Sequence, residues 1–86
     1  MNVSLMEWNK LVAEAKDICE GLNQKGCSVK MMPYTMYNGH KGITFKVLDQ
    51  QGETFQSFMS GAGTADEIRT TMRENSYRIL RECGVN

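Results

Sequence analysis

The first hydrophobic pattern along the chain is that of an amphipathic helix. Ser4 and Glu7 have the spacing of a capping box, in which each side chain accepts a hydrogen bond from the backbone amide of the other residue. Gly26 supplies the left-handed residue at which we expect the helix to end. The apolar stripe recurs at helical spacing and consists of Leu5, Trp8, Leu11, Val12, Ala15, Ile18, Cys19 and Leu22.

The middle of the chain has the alternation of β-strands and predicts three of them. The first strand runs from Cys27 to Tyr34, and Pro33 favours an edge position because proline cannot donate to a neighbouring strand. The second and third strands are joined by Asp49-Gln50-Gln51-Gly52, which predicts a type I turn with Gly52 left-handed.

This turn predicts a register between the second and third strands, and hence which side chains share a face of the sheet. The more apolar set, which we expect to face the core, consists of the pairs Ile43–Met59, Phe45–Ser57 and Val47–Phe55. The opposite face is expected to carry Lys30, Met32, Tyr34, Thr44, Lys46, Leu48, Gln56 and Phe58.

A second capping box, Thr64 with Glu67, announces the last helix, and Gly84 with Val85 is typical of a Schellman end. The apolar stripe of this helix consists of Ala65, Ile68, Met72, Ile79 and Cys83. The order is α-β-β-β-α, so we expect a single α+β domain over residues 1–86, a three-stranded antiparallel sheet with two helices packed on one face.

Two helices cover one face of such a sheet and leave the other in solvent, where polar side chains are usual. Here the expected outer face combines Lys30 and Lys46 with Met32, Tyr34 and Phe58. A contiguous apolar group of this kind favours a binding surface. The alternative is an ordinary solvated face on which lysines flank normal cross-strand pairs.

The segment Met31–Tyr37 adjoins that face and is long for a hairpin connection and rich in methionine and tyrosine. Both residue types are enriched at interfaces, so Met36 and Tyr37 are added to the candidate contact residues. Alternatively, Met31 and Met36 fold under as core while the tyrosines cap the sheet edge.

The composition of the chain argues against several classes of protein. The chain has 86 residues, with ten basic and ten acidic side chains and a formal net charge of zero, which argues against a protein that coats nucleic acid or an anionic membrane. No apolar run reaches the roughly 20 residues of a membrane span. Three cysteines without close spacing favour reduced thiols and a cytoplasmic location.

Catalytic and metal-binding patterns are weak. His40 is the single histidine, the cysteines lack metal-ligand spacing, and the acidic pairs fall at a turn and a helix start, where acids are expected anyway. We therefore expect no enzyme activity, no cofactor and no metal. A row on the last helix, Thr70, Arg73, Tyr77 and Arg81, suits phosphate or an acidic partner, although such rows are more often simply solvated.

The element order and several marker residues resemble the double-stranded RNA-binding domain. The markers are Tyr34, Gly39-His40, Phe45, Gly52, Phe55 and Gly61-Ala62-Gly63-Thr64. Where that family carries phosphate-binding lysines, this chain has Ala65, Asp66 and Glu67, so the resemblance implies the topology more than RNA binding. In size and charge balance the chain also resembles small phage inhibitors of host defence, including anti-CRISPR proteins.

The leading hypothesis is a non-enzymatic protein-binding module, an inhibitor or adaptor, in the cytoplasm (the host's, if phage-encoded). Its contact residues would be Lys30, Met32, Tyr34, Met36, Tyr37, Lys46 and Phe58. The first alternative is nucleic-acid binding through His40, Arg73, Tyr77 and Arg81. The second is a homodimer formed through the sheet.

Overall fold

The computed structural model describes residues 3–61 and 63–83, and it has the α-β-β-β-α order of an α+β protein. The elements are α1 (Leu5–Gln24), β1 (Val29–Thr35), β2 (Lys41–Leu48), β3 (Thr54–Gly61) and α2 (Ala65–Glu82). The strands form an antiparallel sheet in the order β1-β2-β3, with both helices packed against one face of it. Neither described helix has the length and apolarity needed to cross a bilayer.

The ends of α1 follow the sequence signals closely. Ser4 is the N-cap, and its hydroxyl accepts from the Glu7 amide at 3.2 Å, while the Glu7 carboxylate accepts from the Ser4 hydroxyl instead of from its amide. At the other end Gly26 has φ 95°, and the Cys27 amide donates back to the Leu22 carbonyl at 3.1 Å. This is the Schellman geometry expected of a helix that ends at glycine.

The start of α2 carries a complete capping box. The Glu67 amide donates to the Thr64 hydroxyl at 3.2 Å, and the Thr64 amide donates to the Glu67 carboxylate at 2.9 Å. The predicted helix end at Gly84 and Val85 lies outside the described residues.

The first hairpin, which joins β1 to β2, is shorter than predicted. Strand β1 continues through Thr35, and the turn consists of Tyr37, Asn38 and Gly39 between Met36 and His40. Gly39 has φ 88°, and the Met36 amide donates to the His40 carbonyl at 2.7 Å. The expectation of a long Met/Tyr loop is therefore wrong, because most of that segment is strand.

The second hairpin, which joins β2 to β3, contains the predicted turn, with Gly52 at φ 82° and its amide donating to the Asp49 carbonyl at 3.0 Å. Next to the turn, Leu48 pairs with Thr54 as predicted. The register then shifts by one residue at a β-bulge, because Val47 pairs with Gln56 and Phe55 has no partner of its own.

The bulge reverses the faces of β3 relative to the prediction, since side chains alternate with a period of two. Phe58 is opposite Phe45 and only 4% exposed, whereas Met59 is 59% exposed. The expectation that Phe58 lies on the outer face and Met59 on the core face is therefore wrong. The core consists of Leu11, Ala15, Leu22, Cys27, Val29, Ile43, Phe45, Val47, Phe58, Ala65, Ile68, Met72 and Ile79.

One polar pair lies within this core. The side-chain amide of Asn75, in α2, donates to the Ser60 hydroxyl at 2.9 Å and to the Met59 carbonyl at 3.3 Å. Both side chains are buried, so this pair joins α2 to β3 while satisfying the polar atoms that burial removes from water.

Candidate functional site

The face of the sheet opposite the helices, called the open face below, includes three complete cross-strand rows. Each row contributes one residue from each strand, because residues paired across antiparallel strands share a face. The rows are Lys30–Lys46–Ser57, Met32–Thr44–Met59 and Tyr34–Gly42–Gly61.

The central row holds the exposed apolar atoms of the open face. Thr44 is only 8% exposed although no helix packs on this face, while its neighbours Met32 and Met59 are 39% and 59% exposed. The two methionines therefore cover Thr44 and still present their thioethers to solvent. Methionine is flexible and polarizable, so such a pair adapts to the shape of an apolar partner.

The third row places an aromatic ring over two glycines. A Cβ atom at Gly42 would clash with the Tyr34 hydroxyl, and one at Gly61 would approach it to 2.6 Å. Gly42 is buried and Tyr34 is half-buried. The tyrosine thus lies across the sheet at this end of the open face and fills the space that side chains at the two glycines would occupy.

The remaining row is positively charged. Lys30 and Lys46 are direct cross-strand partners, a like-charge arrangement that destabilises a sheet. The ion pairs found among residues 3–61 and 63–83 join Arg69 to Glu14 and to Asp66, so neither lysine is neutralised there. The open face therefore carries two adjacent positive charges beside its methionines.

Of the contact residues expected on this face, the structure brings together four: Lys30, Met32, Tyr34 and Lys46. Phe58 instead lies beneath α2, where the Arg78 guanidinium is 5.4 Å from its ring centroid. Met59 occupies the outward position, which the sequence does not predict because the turn gives no sign of the bulge.

The first hairpin extends this surface. Met36 is 40% exposed, and Tyr37 at the tip of the turn is fully exposed. The alternative in which Met36 folds into the core is therefore wrong. Met31, in contrast, packs partly buried against the core.

Three residues of the nucleic-acid alternative are exposed and the fourth, His40, is half-buried, and they are separated. Arg73, Tyr77 and Arg81 project from α2, with Arg81 near the end of the helix that borders the second hairpin. His40 lies at the other end, because the pairing of Gly42 with Gly61 places the first hairpin beside the start of α2. Sixteen residues of helix separate Ala65 from Arg81, about 24 Å at the α-helical rise. The fold does not gather these residues into one patch.

No group of three or more His, Cys, Asp or Glu side chains in the described part of the chain is arranged to hold a metal ion.

No protein-family model, curated protein or solved structure matches this chain. The resemblances to the double-stranded RNA-binding domain and to phage inhibitors stay predictions.

Proposed function

We propose that this chain is a non-enzymatic protein-binding module, an inhibitor or adaptor, that docks through its open face. The observation that carries the proposal is the central row, in which Met32 and Met59 remain exposed on either side of Thr44. Exposed apolar side chains that form a group, rather than occurring singly, are typical of interaction sites.

The charge of the open face supports a particular kind of partner. Lys30 and Lys46 repel each other across the strands, and a carboxylate placed between them would relieve that repulsion. We therefore propose a protein partner with an apolar patch for the methionines, bordered by at least one aspartate or glutamate for the lysines.

A protein partner fits these observations better than nucleic acid does. The net charge of the chain is zero, and two thioethers occupy the centre of the open face, where phosphate contacts would need basic or hydrogen-bonding groups. Three free cysteines suit a reducing compartment, so we place this interaction in the cytoplasm.

The test compares two baits in which methionines at different places on the surface are replaced by glutamate. Met32→Glu combined with Met59→Glu places charge on the open face, and Met6→Glu places it on α1, where Met6 is 71% exposed. Circular dichroism first establishes that both variants melt as the parent does. Proteins retained from a lysate are then identified, purified and titrated against each variant by calorimetry.

The proposal predicts a purified partner that binds the parent chain and Met6→Glu equally and loses binding to the double variant by at least about 100-fold, which corresponds to roughly 2.7 kcal/mol. Equal binding to both variants, or no retained partner, would count against it. Retention of duplex RNA with a steep salt dependence would favour the nucleic-acid alternative. Self-association lost only in the double variant would favour a homodimer.

A further inference from the structure

A second feature lies at the end of the sheet beside the second hairpin. A cavity of about 330 Å³ opens there between the end of α1, the hairpin and the end of α2. Phe55, which the bulge leaves without a strand partner, forms one wall. Cys27 and Cys83 are both part of the lining.

The two cysteines are distant in sequence and are held at this cavity by the ends of the two helices. Cys27 is 4% exposed, and its amide donates to the Leu22 carbonyl in the Schellman turn of α1. Cys83 is half-buried, and its amide donates to the Ile79 carbonyl at the end of α2 at 2.9 Å. Backbone hydrogen bonds thus fix both Cα atoms before any reaction.

The environments of the two thiols differ. Burial, followed by the side-chain hydrogen bond and the charge of Cys83, raises the pKa of Cys27 to about 11, although nearby Lys25 acts in the opposite direction. Cys27 is therefore a protonated, sheltered thiol at neutral pH, and Cys83 is the more accessible of the two.

We propose that Cys27 and Cys83 form a thiol–disulfide exchange site that reacts with a low-molecular-weight disulfide, glutathione disulfide being the probe of choice. The Cys83 thiolate attacks one sulfur of glutathione disulfide, forms a mixed disulfide and releases one glutathione thiolate. Cys27 then loses its proton and attacks the Cys83 sulfur, which forms the Cys27–Cys83 bond and releases the second glutathione. The protein dithiol is oxidised, and the glutathione disulfide is reduced to two glutathione molecules.

The resulting bond would connect the segment after α1 to the end of α2. Because this closes most of the chain into one loop, it restricts the unfolded state and raises the melting temperature of the oxidised protein. The site would therefore convert the redox state of the glutathione pool into a change in stability.

Cys19 provides a matched control within the same chain. Its thiol donates to the Val29 carbonyl at 3.2 Å, and it does not line the cavity. Burial raises the pKa of Cys19, as it does that of Cys27, so the control differs from Cys27 in its position in the fold.

The experiment incubates the full chain in glutathione buffers of increasing oxidised fraction and maps disulfides by mass spectrometry of non-reduced peptides. We expect a Cys27–Cys83 cross-linked peptide and an intramolecular loss of two hydrogens in the parent chain and in Cys19→Ser. Cys27→Ala is expected to stop at a mixed disulfide with glutathione on Cys83. The melting temperature of the oxidised parent is expected to exceed that of the reduced parent.

Three results would overturn the proposal. They are a stable glutathione adduct on Cys83 of the parent chain without the internal bond, a bond that includes Cys19, and disulfide-linked dimers in place of the internal bond. Because the disulfides are mapped on the parent chain, the proposal can be overturned even where Cys27→Ala fails to fold.

Discussion

At the scale of single residues, two phenylalanines of β3 show how burial is decided by strand geometry. Phe55 is 69% exposed, and Phe58, three positions later, is 4% exposed and packed opposite Phe45. Both are equally apolar, so their different roles arise from the bulge and not from residue type.

This difference predicts unequal costs of truncation. Phe58→Ala leaves a cavity beneath α2 and should lower the free energy of unfolding by about 3–5 kcal/mol. Phe55→Ala removes a mostly exposed ring and should change it by about 0.5 kcal/mol. Urea denaturation of both variants measures this. The opposite result, a large loss for Phe55→Ala and a small one for Phe58→Ala, would mean that the strands pair without the bulge.

The buried pair of Asn75 and Ser60 gives a second residue-scale prediction. Asn75→Ala should cost about 1–3 kcal/mol, because it leaves the Ser60 hydroxyl buried without its partner. The double variant Asn75→Ala with Ser60→Ala should lose less stability than the sum of the two single variants, because the hydrogen bond is lost only once. A double-mutant cycle in denaturant is the measurement, and strict additivity would contradict the contact.

The candidate site was predictable from sequence only in part, because the bulge in β3 changes which side chains face outward. Alternation in β1 placed Lys30, Met32 and Tyr34 on the open face, because that strand pairs without interruption. The outward residue of β3 could not be predicted, since one extra residue after a normal turn leaves no local mark. Asn75 was missed as a core position because its polarity outweighed its spacing between Met72 and Ile79.

At the scale of elements, the helices begin and end where nearby side chains satisfy their terminal backbone groups. A side chain of α1 likewise satisfies backbone groups at the free edge of β1. The Asn23 side chain accepts from the Val29 amide at 2.8 Å and donates to the Val29 carbonyl at 3.0 Å, and Pro33 has no amide to offer. These contacts leave little of β1 for another strand to pair with.

The capping box of α2 makes stability depend on pH. The hydrogen bond from the Thr64 amide, followed by the Thr64 side chain, lowers the pKa of Glu67 below its ordinary value of 4.5. A lowered pKa in the folded state contributes stability above the unfolded value, and that contribution is lost as pH falls through the folded pKa. Glu67→Gln should therefore flatten the decline in stability below pH 4.5.

Urea midpoints measured from neutral pH down into this acid range provide the test. Glu53→Gln, at an exposed carboxylate next to the second hairpin, is the control for loss of one negative charge. If both variants alter the acid limb equally, the capping box is not the source of the effect.

At the scale of the whole molecule, the two faces of the sheet differ in what they carry. The helix-covered face holds the core, and the open face holds exposed methionines and two opposed lysines. The repulsion between those lysines costs stability and is retained on the surface that we propose for binding.

A charge reversal at Lys46 should therefore raise stability while it weakens binding to the proposed partner. Lys46→Glu replaces repulsion from Lys30 with attraction and should raise the free energy of unfolding by roughly 0.2–1 kcal/mol at low salt. The gain should shrink at high salt, and binding to the proposed acidic partner should weaken. Lys46→Gln, which removes repulsion without adding attraction, should lie between. A fall in stability for Lys46→Glu would show that the lysines do not interact.

The sequence alone determined the element order, the helix starts at Ser4 and Thr64, the end at Gly26 and the turn at Gly52. Each depends on hydrogen bonds and backbone angles within a few residues, so the local pattern is sufficient. Tertiary structure alone decided that Phe58 turns inward, that Met59 joins Met32 outside, and that Cys27 meets Cys83 at one cavity. Those outcomes depend on how distant segments pack against one another, which no short window of sequence contains.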